Sequence, residues 1–195
     1  MNEHSINKLN NFIAGWYFND LKICDDLMEY HSNSNQKASG SIFRNGKKTI
    51  DESIKKSIDI TLNIKDKIFQ DYLNNLIDVT KEYIKKYPYC NEYQSWGIND
   101  AVNIQHYEPN GGYYTWHTER GSKNEPQSSR HLVFITYLND VTDDGETEFL
   151  HQKIKIKPQK GLTVIFPADW TFTHRGIPSK TQEKYIVTGW FNFFD

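Results

Sequence analysis

A histidine and a carboxylate stand two residues apart at the end of Tyr113-Tyr-Thr-Trp-His-Thr-Glu119. On a strand, residues two apart point to the same face, so His117 and Glu119 would offer an imidazole and a carboxylate to one point. A third ligand must come from elsewhere in the chain. The leading candidate is His174 in Trp170-Thr-Phe-Thr-His-Arg-Gly176, just past an apolar segment at 162–166. Two histidines and one carboxylate on one face of a metal leave the opposite positions open, which suits Fe(II) with a bidentate co-substrate and dioxygen. The tripeptide is not specific by itself, because a half-exposed strand often carries an ordinary His and Glu at this spacing.

The end of the chain adds weight. In Lys184-Tyr-Ile-Val-Thr-Gly-Trp190, alternation puts Lys184, Ile186, Thr188 and Trp190 on one face and Tyr185, Val187 and Phe191 on the other. Both faces are mostly apolar, which marks a strand interior to a sandwich, and a lysine there must find an anion. It would bind the far carboxylate of a dicarboxylic co-substrate, or else lie at the strand end and reach water. Tyr107 and Tyr137 are each consistent with a hydroxyl turned into the barrel, where it would seek a partner.

The elements that must position these residues follow from the pattern. Asp20 can cap a short helix over 21–30, with Ile23, Cys24, Leu27 and Met28 on one stripe. The stretch 31–48, rich in Ser, Asn and Gly, predicts a mobile loop. A strand is expected at 57–63. The strongest helix signal runs from Asp66 to about Lys86, with Ile68, Phe69, Tyr72, Leu73, Leu76, Thr80, Tyr83 and Ile84 at three- and four-residue steps and Pro88 beyond. From Gln94 onward, short segments rich in Val, Ile, Tyr, Phe and Thr recur at 101–107, 113–119, 131–138, 153–157, 162–166 and 184–193. The expected fold class is α+β: N-terminal helices packed on one side of an antiparallel jelly-roll. We expect a single domain over 1–195, with helical support over about 1–93 and the core over about 94–195.

The bulk numbers bound the function. The 195 residues, 37% of them hydrophobic, carry 23 Lys+Arg against 25 Asp+Glu, a net charge of −2. No apolar run is long enough to span a bilayer. The N-terminus lacks the layout of a signal peptide, so a cytoplasmic setting (of the producing or host cell) is expected. The charge balance argues against a dedicated nucleic-acid binder. Lys153, Lys155 and Lys157 alternate and mark one solvated face. Cys24 and Cys90 form neither a metal-ligand spacing nor a disulfide framework and read as two reduced thiols. His106, His131 and His151 lie near strands without a carboxylate in a matching context, and His106 should face the helices or solvent.

Taken in order, Tyr107-Glu-Pro-Asn-Gly-Gly-Tyr-Tyr-Thr-Trp-His-Thr-Glu119, Arg130…Thr136-Tyr-Leu-Asn139, Asp144-Gly-Glu-Thr-Glu-Phe149, Lys157-Pro-Gln-Lys-Gly161, His174-Arg-Gly176 and Lys184-Tyr-Ile-Val-Thr-Gly-Trp190 form a series. It resembles the catalytic domain of prolyl 4-hydroxylase-like 2-oxoglutarate/Fe(II) dioxygenases, and is most similar to their short single-domain microbial and phage members. The resemblance covers about 101–193 and, more faintly, 55–62. It implies that His117, Glu119 and His174 are iron ligands and that Lys184 anchors the distal carboxylate of 2-oxoglutarate. It implies that Tyr107 and Tyr137 donate hydrogen bonds to the co-substrate with support from Thr188, and that Arg130 and Trp190 lie toward the substrate side. Arg130 has the opposite strand parity from Tyr137. The family usually has Asp where this chain has Glu119, one methylene longer, so its carboxylate must fold back to reach the same site.

What the resemblance implies is hydroxylation of a C–H bond, on a peptidyl proline or another protein side chain. It needs Fe(II), 2-oxoglutarate and O2, releases succinate and CO2, and uses ascorbate as reductant. A free amino acid or small metabolite is the alternative substrate. A non-catalytic jelly-roll binding module and a zinc-dependent hydrolase are the rival classes; the second leaves Lys184, Tyr107 and Tyr137 unexplained. The polar loop at 121–129 is a candidate to order over the site when substrate binds. Oligomeric state is not fixed by these residues.

Overall fold

Two amphipathic helices cover one side of a sheet. In the computed structural model, which describes residues 1–44 and 47–194, helix α1 runs Lys22–Asn33 and helix α2 runs Lys67–Lys86. Asn45 and Gly46, within the loop expected at 31–48, and Asp195 lie outside the described residues. Helix α2 buries Phe69, Tyr72, Leu76, Val79 and Tyr83, each such side chain contributing roughly 1.5–3 kcal/mol. Asp66 occupies its N-cap position but makes no side-chain capping bond.

Helix α1 is longer than its polar C-terminal residues suggest. It extends to Asn33 because His31 is buried, its ring packed edge-on against His106 and Tyr185. Asp20 helps start the helix from one position outside the cap, accepting the Lys22 N–H at 2.9 Å. The loop expected at 31–48 is also corrected. It holds the strand Ala38–Ser39, paired with Ile58–Thr61, and the hairpin strands Ile42–Arg44 and Lys47–Thr49.

The large antiparallel sheet runs in the order Asn2–Glu3, Ala14–Tyr17, Leu162–Pro167, Arg130–Tyr137, Lys184–Phe193, Asn103–Tyr107, Ile58–Thr61 and Ala38–Ser39, with Trp96–Gly97 also paired to Lys184–Phe193. A smaller sheet packs Ile154–Ile156, Thr147–Phe149 and His174–Gly176. Gly112–Tyr113 pairs with Lys55–Lys56. The N-terminal part is thus not helical support alone, since Ala14–Tyr17 and Ile58–Thr61 complete the large sheet on both sides of its centre.

Alternation sorts each central strand between two cores. From Arg130–Tyr137, Leu132 and Phe134 join the helix-side cluster with Tyr72 and Leu76, whereas Val133, Ile135 and Tyr137 join the interior cluster with Phe149, Val164 and Ile186. The same parity sends Val187 and Phe191 toward the helices and Ile186 and Trp190 inward. One buried polar chain crosses the helix side: Tyr72 to Thr136 at 2.9 Å and Thr136 to Thr163 at 2.7 Å.

Gly189 permits this packing. It pairs with Phe134 across the strands, and a Cβ there would lie 2.3 Å from the Phe134 ring. Phe134 is fully buried and cannot yield cheaply. Gly189→Ala is therefore expected to destabilise the fold by about 1–3 kcal/mol, read as a lower thermal midpoint; an unchanged midpoint would show that the Phe134 ring has room to move.

Among the described residues, no helix is long and apolar enough to cross a membrane.

Candidate active site

The two site histidines face each other across a short antiparallel bridge. His117 and His174 exchange both backbone hydrogen bonds, each 3.0 Å, which places their side chains on one side. The regular strand expected over 113–119 ends at Tyr113, so His117 and Glu119 are presented by this isolated bridge and the turn after it. Turn chemistry interrupts the strand here, yet the two-residue spacing still brings both side chains to the same place.

Each imidazole is set as a ligand by the carbonyl behind it. His117 Nδ1 lies 3.0 Å from the Thr115 carbonyl and His174 Nδ1 lies 3.0 Å from the Phe172 carbonyl. A carbonyl only accepts, so Nδ1 carries the proton and Nε2 keeps its lone pair for the site. Glu119 Oε1 lies 3.5 Å from both Nε2 atoms. Donor atoms of His117, Glu119 and His174 all lie within 4.8 Å of one another. Tyr113 stacks on His117 with centroids 3.6 Å apart, and His174 is wedged against Phe149 and Phe166.

Electrostatics suit a metal. Burial, then the neighbouring His174, lowers the His117 pKa and favours the neutral ligand form. For Glu119, burial pushes the carboxyl up, but His117 and His174 outweigh it and hold the group well below the usual carboxylate range when an Nε2 carries a proton, the place a metal ion would take. Two unprotonated imidazole nitrogens and one carboxylate oxygen fit a divalent first-row metal such as Fe(II), with positions left for other ligands.

These groups line a cavity of about 830 Å³, within the range of small-molecule sites. Lys184 is buried in its wall. Its Nζ donates to the Gly145 carbonyl at 2.9 Å, sits 4.9 Å above the Tyr107 ring, and has no ion-pair partner among the described residues. Burial, partly offset by Glu146, pushes its pKa down to about 8. Tyr107 donates to Gln105 at 2.6 Å and Tyr137 to Thr147 at 2.7 Å, while Thr188 donates to the Phe134 carbonyl at 3.3 Å; all three line the cavity.

Arg130 and Trp190 line it too, and both touch Glu119 directly. A register shift between Arg130 and Leu132 explains how Arg130 reaches the cavity despite its parity with Leu132 and Phe134. Gly121, Ser122, Lys123, Asn124 and Gln127 place the 121–129 loop beside the site. His106 stacks on Tyr185 toward the helices, His131 bonds the Cys90 carbonyl, and His151 is exposed, so none of the three joins the metal site.

Sequence reading missed several participants. Tyr113 was visible only as part of a motif. Asp100, which pairs with Arg130 at 2.7 Å, and the buried Lys55 with its half-buried partner Asp59 at 2.6 Å, also in the cavity wall, carry no local signal that could have found them.

The fold thus brings two histidines and a carboxylate together beside a buried lysine that has no ion-pair partner among the described residues. Residues 102–192 match the family model of the 2OG-Fe(II) oxygenase superfamily. Among curated relatives, probable prolyl 4-hydroxylase 9 of Arabidopsis thaliana is 30% identical over 47% of this chain and 40% of its own length. The chain therefore spans well under two thirds of that relative.

Two solved structures share the fold. A viral collagen prolyl hydroxylase from Paramecium bursaria Chlorella virus-1 has a TM-score of 0.66 at 19% identity, covering 94% of this chain and 97% of that one. A Trichoplax adhaerens prolyl hydroxylase in complex with a hypoxia inducible factor peptide fragment has a TM-score of 0.72 at 17% identity, covering 96% and 87%. Residues 102–192 of the chain are thus similar to the 2OG-Fe(II) oxygenase superfamily, and its fold is that of the prolyl hydroxylases.

Proposed function

We propose that this protein hydroxylates a C–H bond of a peptidyl proline or another protein side chain, consuming 2-oxoglutarate and O2 and releasing succinate and CO2. The observation that carries the reading is the convergence of His117, Glu119 and His174 in one cavity with the buried Lys184, which has no ion-pair partner among the described residues. His117, Glu119 and His174 would hold Fe(II). Once bound with 2-oxoglutarate, the iron supplies O2 activation coupled to oxidative decarboxylation, chemistry that belongs to the cofactor.

The chain's own part is to bind, orient and shield. Lys184 presents an ammonium already stripped of water, so a charge-assisted bond to the distal carboxylate of 2-oxoglutarate is worth more than in solvent. Tyr107, Tyr137 and Thr188 bring hydroxyls to the same wall and would line the rest of the co-substrate. Ile135 and Ile186 give the cavity an apolar wall, backed by the buried cluster that includes Val133. Ascorbate would keep the iron reduced. Arg130 and Trp190, expected on the substrate side, would border the incoming substrate, as would Lys123 and Asn124 of the 121–129 loop.

A peptide substrate is favoured because segments distant in sequence, contributing Phe43 and Lys48 on one hand and Lys123 and Asn124 on the other, line the cavity together, and because a protein of this fold is seen with a peptide. Two free cysteines, Cys24 buried with its thiol pushed up to about 12, suit a reducing compartment such as the cytoplasm.

The test offers proline-containing peptides and free amino acids to the protein with Fe(II), 2-oxoglutarate and ascorbate. Peptide-stimulated succinate with one oxygen gained on the peptide is expected. Stimulation by free amino acids only would move the substrate class to small metabolites, and binding of iron and 2-oxoglutarate without turnover on any substrate would favour a binding module.

A further inference from the structure

Glu119 is one methylene longer than aspartate, so its carboxylate swings through a wider arc, and like any carboxylate it can offer a metal one oxygen or both. In this structure the two oxygens are not equivalent. Oε1 faces both histidine Nε2 atoms at 3.5 Å. Oε2 is turned away and accepts the Trp190 Nε1–H at 3.0 Å and an Arg130 Nη1–H at 3.2 Å. The same Nη1 also donates to the Glu119 backbone carbonyl at 3.1 Å, so one guanidinium nitrogen holds both ends of the residue.

The two donors are themselves fixed. Arg130 is 6% exposed and gives Nε and Nη2 to Asp100 at 3.1 and 2.7 Å. Its guanidinium lies 3.6 Å from the centre of the Trp190 ring. Both residues come from neighbouring strands of the large sheet, where Arg130 pairs with Asn192 and Val133 with Trp190. Rigid elements therefore set the direction of the carboxylate.

We propose that Arg130 and Trp190 are positioning residues for the metal ligand. By occupying Oε2 they make Glu119 a one-oxygen donor, keep a further coordination position free, and let a glutamate stand where the shorter acid would otherwise be needed. The inference rests on the metal-dependent reading above. It adds a role to two residues that the family resemblance places toward substrate.

The test is Co(II) binding to the metal-free protein, by calorimetry and by the visible absorption of the bound ion, without 2-oxoglutarate. Trp190→Phe keeps an aromatic ring beside Arg130 but removes the indole N–H together with the five-membered ring that carries it. It is expected to weaken Co(II) about tenfold, the loss of one hydrogen bond to a charged acceptor, and to alter the absorption envelope. In a Glu119→Asp background, where the shorter chain is drawn off the indole, the same change is expected to cost less than twofold. Asp100→Asn, which loosens Arg130 without touching Glu119, gives a smaller loss than Trp190→Phe and serves if that variant folds poorly.

Wild-type affinity and spectrum in both Trp190→Phe and Asp100→Asn would overturn the proposal, and so would equal losses from Trp190→Phe in the wild-type and Glu119→Asp backgrounds. If wild type fails to bind Co(II) at all, both this proposal and the functional reading fall. If it binds but makes no succinate, the functional reading alone is in difficulty.

Discussion

Glu119→Ala is expected to abolish 2-oxoglutarate turnover while leaving the protein folded. It removes the carboxylate that faces His117 and His174 and leaves two neutral imidazoles to hold a divalent ion. The loss should exceed the roughly 10–100-fold that follows removal of an outer partner of a metal ligand. Folding should survive because Arg130, the buried cation beside Glu119, keeps Asp100 at 2.7 Å. Metal titration and succinate formation read the first part, and a thermal melt reads the second. Turnover within a few-fold of wild type would remove Glu119 from the ligand set.

Lys184→Ala is expected to raise the 2-oxoglutarate concentration needed for half-maximal turnover by about 10–100-fold, the worth of a hydrogen-bonded charge in a dry pocket. The wild-type site should also be sensitive to pH. Burial lowers the Lys184 pKa to about 8, so in the free enzyme the ammonium is present below that value and lost above it. Affinity for the dianion is therefore full below pH 8 and falls as pH rises through it, while bound 2-oxoglutarate holds the proton on. Stability without co-substrate runs the other way. Unfolded Lys184 keeps its proton toward its ordinary 10.5, so between about 8 and 10.5 the unfolded state binds more protons and stability rises with pH. A Lys184→Ala variant with unchanged co-substrate dependence would place the anchor elsewhere, with Lys55 the next buried cation in the cavity wall.

The strands that carry chemistry were legible because alternation is a direct statement about burial. The 184–193 segment forms as Lys184–Phe193, with Lys184, Ile186, Thr188 and Trp190 on the face opposite Val187 and Phe191. Helix α2 was legible for the same reason at the helical period. Ala14–Tyr17, Thr147–Phe149 and His174–Gly176 were not read as strands, being short and defined by partners far away in sequence.

At the site, the triad emerged from spacing and order, but its geometry did not. No local pattern shows that His117 and His174 are bridge partners, and strand parity turned Arg130 the wrong way because a register shift is invisible in an alternating string. Asp100 and Lys55 carry weight only through contacts across the fold.

The central claim is that these residues form a working 2-oxoglutarate-dependent iron site. The most direct measurement is succinate formed from 2-oxoglutarate by the wild-type protein with Fe(II) and ascorbate, beside Glu119→Ala and Lys184→Ala. Iron-dependent succinate is expected that disappears in Glu119→Ala and returns in Lys184→Ala only at much higher 2-oxoglutarate. A wild-type protein that binds neither iron nor 2-oxoglutarate would contradict the claim.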